Sequence, residues 1–490
     1  MATDSPPRSL APFLLFLLAC AVACVAVSSQ SLWIDEAQTA LKAIPGTLHG
    51  WWHALDIEHS SNMQLPLYML YIWGWARVFG VSELALRAAN IPWFFVGFFA
   101  ISHFLRRHSG LRNAALLVFC VHPFVWYYLN EARPYLMQLS GALLVTGALF
   151  SALDQPDEPL PTSWWWLFAA GLTVLCGAGL LGVPWAAAIT LLLIRRPGFC
   201  RSMLRSGLPA LVVFVPLLTV LAIYLAWTLK ENAHPGEQPM SLSSIPFVFY
   251  EHLGFVGLGP GRADMRSGGL RIFLSYLPSL CILGIPLIYA VVRARAARFG
   301  LAPRLVLPVF LVGVLPTAFV FALGITKHFR VLGRHLTPLL PFVLCGIAVA
   351  ISLLWARRRP LDRAVAVCVV LALAGSALEC RFARRHAKDD NRDAIALGKA
   401  ALAKGEDVWW AGDPAAANYY GLPFSMEARP GVALFQWDAL PAEVAGEKPP
   451  DLILLCKPDL FDANSGVRGF IAQHRYSQIE AFPAFSVWRR

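Results

Sequence analysis

The stretch Ser31-Leu32-Trp33-Ile34-Asp35-Glu36-Ala37 follows directly on the first apolar run of the chain, residues 10–28. Two adjacent carboxylates therefore stand where that run ends. Because neighbouring residues on a helix point about 100° apart, Asp35 and Glu36 are not expected to serve one reacting atom together. We expect one of them to act as a base and the other to bind substrate or support the structure. A solvated pair of boundary charges is the alternative interpretation.

The composition is typical of a membrane protein. Of the 490 residues, 57% are hydrophobic and only 14% are charged, whereas soluble domains carry about 25% charged residues. The net charge of +11 comes from arginines clustered in short loops between apolar runs. That distribution indicates membrane topology and not a nucleic-acid-binding face. We therefore predict a multi-pass membrane protein with the lipid bilayer, and no nucleic acid, as its partner.

Eleven apolar runs are candidate membrane helices, although some are shorter than the ~20 residues that a straight span needs. They cover residues 10–28, 88–105, 113–129, 136–152, 164–178, 180–194, 207–227, 271–291, 305–324, 336–356 and 364–379. The first run stays apolar past both positions where a signal peptide could be cleaved, so we expect it to be retained as a helix.

The stretch 66–79 is also apolar, but it is short and rich in Trp and Tyr. If it lies on the membrane surface, all five basic clusters fall on one side, whereas a crossing at 66–79 would move the later clusters outside. Positive charge concentrates on the cytoplasmic side, so we predict a surface helix at 66–79, about eleven spanning helices and a cytoplasmic N-terminus. The clusters are Arg8; Arg106, Arg107 and Arg112; Arg195, Arg196, Arg201 and Arg205; Arg293, Arg295, Arg298 and Arg304; and Arg357, Arg358, Arg359 and Arg363.

Three long segments lie outside on this topology, namely 29–87, 228–270 and the tail from 380. The first holds the carboxylate pair and the predicted surface helix. We predict a mostly α-helical transmembrane catalytic domain over 1–379 and a small extracytoplasmic α/β domain over 380–490. The expected location is the inner or plasma membrane of a bacterium.

Alternating helical and strand patterns in the tail support the α/β prediction. The patterns predict helices over 389–404 and 414–420, the second with Asp413 as its N-cap, and strands over 407–410, 451–456 and 484–488. Cys380 and Cys456 would share the oxidising side of the membrane, which leaves a disulfide between them open.

A second polar cluster interrupts the apolar pattern at Tyr127-Tyr128-Leu129-Asn130-Glu131-Ala132-Arg133-Pro134-Tyr135. By the predicted topology it lies on the same side of the membrane as Asp35. Its acid, base, amide and phenols are candidate site residues. A Glu131–Arg133 ion pair at the end of a helix is the alternative.

A third cluster, Lys327-His328-Phe329-Arg330 with Gly333-Arg334-His335, lies outside between two apolar runs. A basic cluster on this side runs against the positive-inside tendency, so we expect it to hold an anion. Arg and Lys bind phosphate through charge-assisted hydrogen bonds, and Arg can form two of them in parallel. Anchoring to lipid headgroups is the alternative.

The three clusters place carboxylates and phosphate-binding cations on one face of the membrane. Transfer from a lipid phosphate needs this combination, because a base must take a proton from the acceptor. Cations must also stabilise the charge that grows on the departing phosphate.

Four blocks carry a resemblance to a known family. They are Trp33-Ile34-Asp35-Glu36-Ala37; Pro66-Leu67-Tyr68 with Gly80-Val81-Ser82-Glu83-Leu84-Ala85-Leu86-Arg87; Glu131-Ala132-Arg133-Pro134-Tyr135; and Arg334-His335-Leu336-Thr337-Pro338-Leu339-Leu340-Pro341. In order and spacing they resemble the GT-C membrane glycosyltransferases, most closely the bacterial enzymes related to protein O-mannosyltransferases and to the lipid A aminoarabinose transferase. The resemblance covers about residues 10–360.

This resemblance implies an inverting glycosyltransferase that moves a sugar from a polyprenyl-phosphate donor to a hydroxyl of lipid A, another glycan or a protein. It makes Asp35 the general base and Glu36 an auxiliary catalytic group. The remaining implied residues bind substrate. They are Glu131, Arg133 and Tyr135 in the second outside loop, Arg334 with Arg330 and Lys327 at the donor phosphate, and His335 next to Arg334.

The chain departs from the family at two places. Relatives often carry His-Pro-Pro before Leu-Tyr, where this chain has Met63-Gln64-Leu65-Pro66, and Asp56, Glu58 or His59 could replace the lost contact. Relatives also often carry Arg-Tyr where this chain has Arg334-His335. The oxygen ligands needed by a divalent metal could come from Asp35, Asp56, Glu58 and Glu131. No metal or other cofactor is assigned, and the sugar and acceptor stay open.

Two other classes of protein are alternatives to an enzyme. A transporter or flippase for lipid-linked sugars would place ionisable residues near mid-membrane and show paired repeats, whereas the conspicuous charges here lie at the outer interface. A scaffold or receptor working through its tail would tolerate Asp35→Asn. A glycosyltransferase is therefore the favoured hypothesis.

Overall fold

The computed structural model describes residues 10–57, 60–230, 240–261, 264–265, 269–296, 303–436 and 449–490. Arg8, Glu58, His59 and Arg298, named above, lie outside these residues. The helices are α1 Ala11–Ala26, α2 Ile34–Ala43, α3 Leu48–Asp56, α4 Pro66–Phe79, α5 Glu83–Ala88, α6 Asn90–Phe104, α7 Ser109–Val121, α8 Pro123–Leu129, α9 Tyr135–Asp154, α10 Thr162–Ala178, α11 Val183–Ile194, α12 Phe199–Ser202, α13 Leu208–Lys230, α14 Ser244–His252, α15 Ile272–Ser275, α16 Leu277–Ala296, α17 Pro303–Thr326, α18 Leu340–Ala356, α19 Pro360–Phe382, α20 Asn391–Ala403, α21 Pro414–Tyr420, α22 Pro458–Phe461 and α23 Gly466–Gln473. The strands are β1 Val408–Ala411, β2 Phe424–Ser425, β3 Ala433–Phe435, β4 Leu452–Cys456, β5 Ser477–Phe482 and β6 Phe485–Arg489.

Apolar helices dominate the described chain, and the predicted polytopic fold is confirmed. Among the described residues, seven segments are long and apolar enough to cross a membrane: Glu83–Phe104, Tyr135–Asp154, Phe199–Lys230, Leu277–Ala294, Leu307–Thr326, Gly333–Ala356 and Pro360–Phe382. Four shorter apolar helices are Ala11–Ala26, Ser109–Val121, Thr162–Ala178 and Leu180–Ile194. Together these segments overlap the predicted apolar runs one for one.

The run predicted over 113–129 is broken in the structure at Pro123. His122 has an extended backbone with φ −75° and ψ 125°, and α8 begins at Pro123. Proline disfavours the helical conformation for the residue before it and supplies no N–H to a preceding turn. The break separates α7 from α8, the helix that leads into the second polar cluster.

Basic clusters that the topology assigns to one side meet in space. The side chain of Arg196 donates to the carbonyl oxygen of Glu158 at 2.6 Å, and Arg107 lies 3.6 Å from the Glu158 carboxylate. Arg357 donates to the carbonyl oxygen of Arg293 at 2.9 Å. The orientation of this end of the bundle in the membrane stays a prediction.

The first outside segment folds into four short helices. Helix α4 runs from Pro66 to Phe79, the residues predicted for a helix, and three of its Trp and Tyr side chains donate to neighbouring backbone. Trp73 donates to the carbonyl oxygen of Pro45 at 2.8 Å, and Tyr71 donates to that of Ala89 at 2.7 Å. Through these contacts α4 joins the loop after α2 to the start of α6.

The tail contains a six-stranded mixed sheet with strand order β2-β3-β1-β4-β6-β5. Strands β2, β3, β1 and β4 are parallel, and β6 and β5 are antiparallel to their neighbours. The predicted helix over 414–420 is confirmed, since Asp413 accepts a hydrogen bond from the backbone N–H of Ala416 at 2.9 Å and caps α21. Cys380 is buried in α19 and Cys456 is buried in β4.

Three strands of this sheet were not predicted. Strands β2 and β3 have only two and three residues, too few for an alternating pattern. Strand β5 is mostly exposed and lies at the edge of the sheet, so it lacks an apolar stripe. Trp409 and Trp410 are fully buried in β1, which makes them core residues.

Candidate active site

Helix α2 presents the two adjacent carboxylates at its N-terminus. Trp33 is the N-cap, and its backbone N–H donates to Oε2 of Glu36 at 3.4 Å. Asp35 and Glu36 lie in the first turn, where the unpaired N–H groups and the helix dipole favour ionised carboxylates. Their side chains leave the helix in different directions and meet different partners.

Asp35 pairs with Arg334 from the far end of the chain. Nη1 of Arg334 donates to Oδ2 of Asp35 at 3.0 Å, and the side chains are 18% and 25% exposed, respectively. The Arg334 guanidinium lies 5.5 Å from the ring of Trp33 and 5.9 Å from that of Tyr135. The two residues therefore form a partly open ion pair bordered by aromatic faces, at a range where cation–π attraction adds to it.

Glu36 is fully buried in a network of donors. Arg87 donates to its two oxygens at 2.8 and 2.7 Å, and the backbone N–H of Ala132 donates at 2.8 Å. Nζ of Lys388 lies 3.1 Å from Oε2. Burial by itself would raise the pKa of Glu36, but the charges of Arg87 and Lys388 and the hydrogen bonds lower it to about 2.

These contacts leave Glu36 no exposed surface from which to meet a substrate. We expected an auxiliary catalytic group at this position, and its contacts instead fit a structural anchor that joins the first outside segment, the second polar cluster and the tail. Burial, opposed by the attraction of Glu36 and reinforced by the charge of Arg87, lowers the pKa of Lys388 to about 8.

The second polar cluster wraps around α2. Nη1 of Arg133 donates to the side chains of Thr39 at 2.9 Å and Asn62 at 2.8 Å, and it lies 3.3 Å from the carbonyl oxygen of Asp35. Glu131 is fully buried and Tyr135 is 8% exposed. Arg133 and Tyr135 thus lie beside the Asp35–Arg334 pair, with Arg133 holding the backbone that carries Asp35.

One part of the third cluster lies close to Asp35, and the other part lies at the surface. Nδ1 of His335 accepts from the backbone N–H of Leu332 at 3.2 Å, so His335 shapes the turn that carries Arg334. Lys327 and Arg330 are exposed, and neither side chain forms a hydrogen bond or ion pair within the described part of the chain. The structure therefore brings Arg334 to Asp35 but leaves Lys327 and Arg330 at the surface.

The carboxylates named above as candidate metal ligands do not form a cluster within the described residues. Asp56 lies near Tyr224 of α13, Asp35 is paired with Arg334, and Glu58 is outside the described residues. Within those residues, no group of three His, Cys, Asp or Glu side chains is placed to hold a metal ion. No metal-dependent step is therefore derived for this site.

A cavity of about 580 Å³ adjoins the ion pair and shares Trp33 with it. Its walls come from α8, α14, the segment after α14 and the tail, and its lining includes the cations Arg384, Arg385, Lys388, Lys457 and Arg468. Aromatic residues such as Tyr127, Tyr128, Phe247 and Tyr250 cover much of the remainder. Asp35 and Arg334 stand beside this cavity and do not line it.

The sequence analysis predicted no anchoring role for Arg87, Lys388, Asn391 or Tyr420, which contact the segment before α2 or the buried carboxylate. Arg87 is fully buried and also donates to the carbonyl oxygen of Ser28 at 3.0 Å. A usable signal was present for the two cations, since a basic residue on the predicted outer side is unexpected. The long sequence separation of Asn391 and Tyr420 from α2 gave no such signal.

Two solved structures resemble this chain over nearly its whole length. The crystal structure of ArnT from Cupriavidus metallidurans in the apo state has a TM-score of 0.52 and 14% sequence identity, and the match covers 97% of each chain. The crystal structure of the same protein bound to undecaprenyl phosphate has a TM-score of 0.50 and 15% identity, again over 97% of each chain. No protein-family model and no curated protein sequence matches the chain. The likeness confirms the predicted GT-C-like fold.

Proposed function

We propose that this chain, which shares the fold of ArnT, is an inverting glycosyltransferase that takes a sugar from a polyprenyl-phosphate donor. The observation that carries the proposal is the 3.0 Å contact between Asp35 and Arg334. It joins a candidate proton acceptor and a candidate phosphate-binding cation in one partly open site. The proposed location is the outer face of a bacterial inner membrane, with the N-terminus cytoplasmic and the tail outside.

In the proposed reaction Arg334 binds the donor phosphate and Asp35 accepts the proton of the acceptor hydroxyl. The acceptor oxygen forms a bond to the anomeric carbon while the bond from that carbon to the phosphate oxygen breaks. Polyprenyl phosphate leaves with its negative charge stabilised by Arg334. Attack on the face opposite the leaving group inverts the configuration at the anomeric carbon.

The ion pair between Asp35 and Arg334 gives phosphate binding a second effect. While the pair is intact, the guanidinium holds the carboxylate that must act as the base. A donor phosphate competes for the same guanidinium through charge-assisted hydrogen bonds. Binding of the donor therefore releases Asp35 to accept a proton, so the base becomes available when the sugar is present.

Two observations support a lipid-phosphate donor. The ArnT structure with the same fold is bound to undecaprenyl phosphate, and the site of this chain stands at the end of a candidate membrane span that begins at Gly333. Arg133 and Tyr135 complete the proposed substrate site. The sugar and the acceptor, whether lipid A, another glycan or a protein, are left to the experiment.

The experiment combines mass spectrometry of envelope glycolipids and glycoproteins with a transfer assay. Cells with the wild-type chain, with Asp35→Asn and without the chain are compared, and the modified molecule is then used as acceptor with a panel of undecaprenyl-phosphate-linked sugars. We expect one sugar modification that requires both the chain and Asp35. A flippase would instead move the donor across the membrane, and it would form no glycosylated product when assayed in detergent. The absence of product in that assay would reject the proposal.

A further inference from the structure

The segment that joins α1 to α2 carries Asp35 into the site, and most of its backbone is held from outside the segment. Arg87 donates to the carbonyl oxygens of Gln30 at 2.5 Å and Ser31 at 3.0 Å. These bonds come from the membrane domain. The next residue, Leu32, is held by the tail instead.

Both backbone polar groups of Leu32 bind tail side chains. Its N–H donates to the phenol oxygen of Tyr420 at 2.8 Å, and its carbonyl oxygen accepts from Nδ2 of Asn391 at 2.8 Å. Leu32 is fully buried, so water cannot replace either partner without opening the structure. The tail therefore fixes the backbone three residues before Asp35.

The two tail groups are themselves held in place. The phenol of Tyr420 donates to Oε1 of Glu83 at 3.2 Å, which directs its hydrogen away from Leu32 and its oxygen lone pair towards the Leu32 N–H. Asn391 is fully buried at the start of α20, next to the N-cap residue Asp390. Neither side chain touches Asp35 or Arg334 through any hydrogen bond between described residues.

We propose that Tyr420 and Asn391 are positioning residues for the transfer reaction, so that the tail sets the place of the base by fixing Leu32. The inference rests on the proposed function, because it assigns Asp35 the role of base. Asp35 is 25% exposed and stands in the first turn of α2, and its ion pair with Arg334 is a contact for which the donor phosphate competes. The anchoring of α2 therefore contributes to the position of Asp35 during the reaction. A misplacement of about 1 Å in a reacting group costs about 100-fold in rate.

The test is Tyr420→Phe, which removes one hydroxyl and keeps the ring. We expect kcat to fall roughly 10- to 100-fold, while the donor KM and the affinity for undecaprenyl phosphate alone change less than about twofold, since Arg334 is untouched. Hydrogen–deuterium exchange should become faster over residues 32–43. Asn391→Ala removes the donor to the Leu32 carbonyl and should give the same division between kcat and KM.

The matched control is Tyr419→Phe on the same helix. The Tyr419 phenol donates to the carbonyl oxygen of Val81 at 2.6 Å, so this variant also loses a bond between the tail and the first outside segment, but not one to Leu32. It should leave kcat and exchange over residues 32–43 unchanged. An equal loss of kcat in this control would show a general docking role and overturn the positioning role.

The remaining outcomes separate this inference from the proposed function. Wild-type kcat in Tyr420→Phe together with an inactive Asp35→Asn would overturn the positioning role and leave the function standing. Loss of undecaprenyl phosphate binding together with kcat in Tyr420→Phe would show collapse of the site and also overturn it. Full transfer activity in Asp35→Asn would exclude Asp35 as the base and overturn this inference with it, while the absence of any transfer product with the wild-type chain would overturn the proposed function.

Discussion

The guanidinium of Arg334 donates a 3.0 Å hydrogen bond to the carboxylate of Asp35 across 299 positions of sequence. Arg334 is the second residue of the candidate span Gly333–Ala356, and Asp35 lies in the helix that follows the first apolar helix. Their contact brings the two ends of the membrane domain to one site. It also makes a donor phosphate and the base competitors for the same cation.

Asp35→Asn should abolish transfer without unfolding the protein. The amide keeps the size of the side chain but cannot take a proton, and general-base catalysis contributes about 100- to 10,000-fold. The measurement is the transfer assay with purified protein, accompanied by a thermal unfolding curve. Asp154→Asn is the matched control, because Asp154 is partly exposed and pairs with His108 away from the site. Turnover near the wild-type value would exclude Asp35 as the base.

Arg334→Ala should raise the donor KM and weaken binding of undecaprenyl phosphate far more than it changes the acceptor KM. The guanidinium of Arg334 pairs with the Asp35 carboxylate, whereas Lys327 and Arg330 stand at the surface, so alanine variants of Lys327 and Arg330 should have smaller effects. Arg334→Lys should recover part of the affinity, since a lysine supplies charge without the paired donor geometry. An unchanged donor dependence in Arg334→Ala would refute the phosphate role.

Stability of the wild-type protein should fall with acidification below about pH 4.5. The pKa of Glu36 is lowered from 4.5 to about 2 in the folded protein, so between these values the unfolded chain binds more protons and unfolding is favoured as pH decreases. Glu36→Gln should show a flatter response over that window and a lower free energy of unfolding at neutral pH. Breaking a buried pair typically costs about 3–5 kcal/mol.

The measurement is thermal unfolding of detergent-purified protein between pH 3 and pH 7. Glu158→Gln provides the control. The side chains of Arg107 and Glu158, which form an ion pair, are 50% and 61% exposed, and exposed pairs contribute about 0–1 kcal/mol to the free energy of unfolding. Equal acid sensitivity in wild type and Glu36→Gln would contradict the account of the buried network.

A reporter of topology fused near Arg107 should be cytoplasmic, and one fused at Arg490 should be external. The reason is that positively charged loops are retained on the cytoplasmic side and the predicted number of crossings is odd. Cysteine labelling in intact cells provides an independent measurement. An external reporter at Arg107 would move the proposed site to the cytoplasmic face.

The membrane helices and the ends of α4 and α21 could be predicted because their signals are local. Apolar runs, a proline at the first position of a helix and an acidic cap are contained within a few neighbouring residues. Topology together with the resemblance of four sequence blocks predicted that Asp35 and Arg334 serve one site, but the ion pair between them was not predicted. Topology alone would have placed these residues on one face without pairing them.

The roles of Glu36 and Arg87 could not be obtained in the same way. Adjacent carboxylates look alike in sequence, and only the fold decides that Glu36 turns inward to Arg87 while Asp35 turns to Arg334. The hydrogen bonds that join Asn391 and Tyr420 to Leu32 depend on how the tail packs against the segment before α2. A pairing across more than 350 positions leaves no periodic signal in one sequence.

The hydrogen bond between Tyr420 and Leu32 also implies an order of events during biosynthesis. Residue 32 leaves the ribosome early, but its partner is made almost four hundred residues later and, on the proposed topology, must first be translocated. The candidate active site of a nascent chain therefore stays incomplete until translation is nearly finished. Premature stop codons anywhere before Tyr420 should consequently reduce transfer by at least the roughly 10- to 100-fold expected for Tyr420→Phe, even when every membrane helix has been inserted.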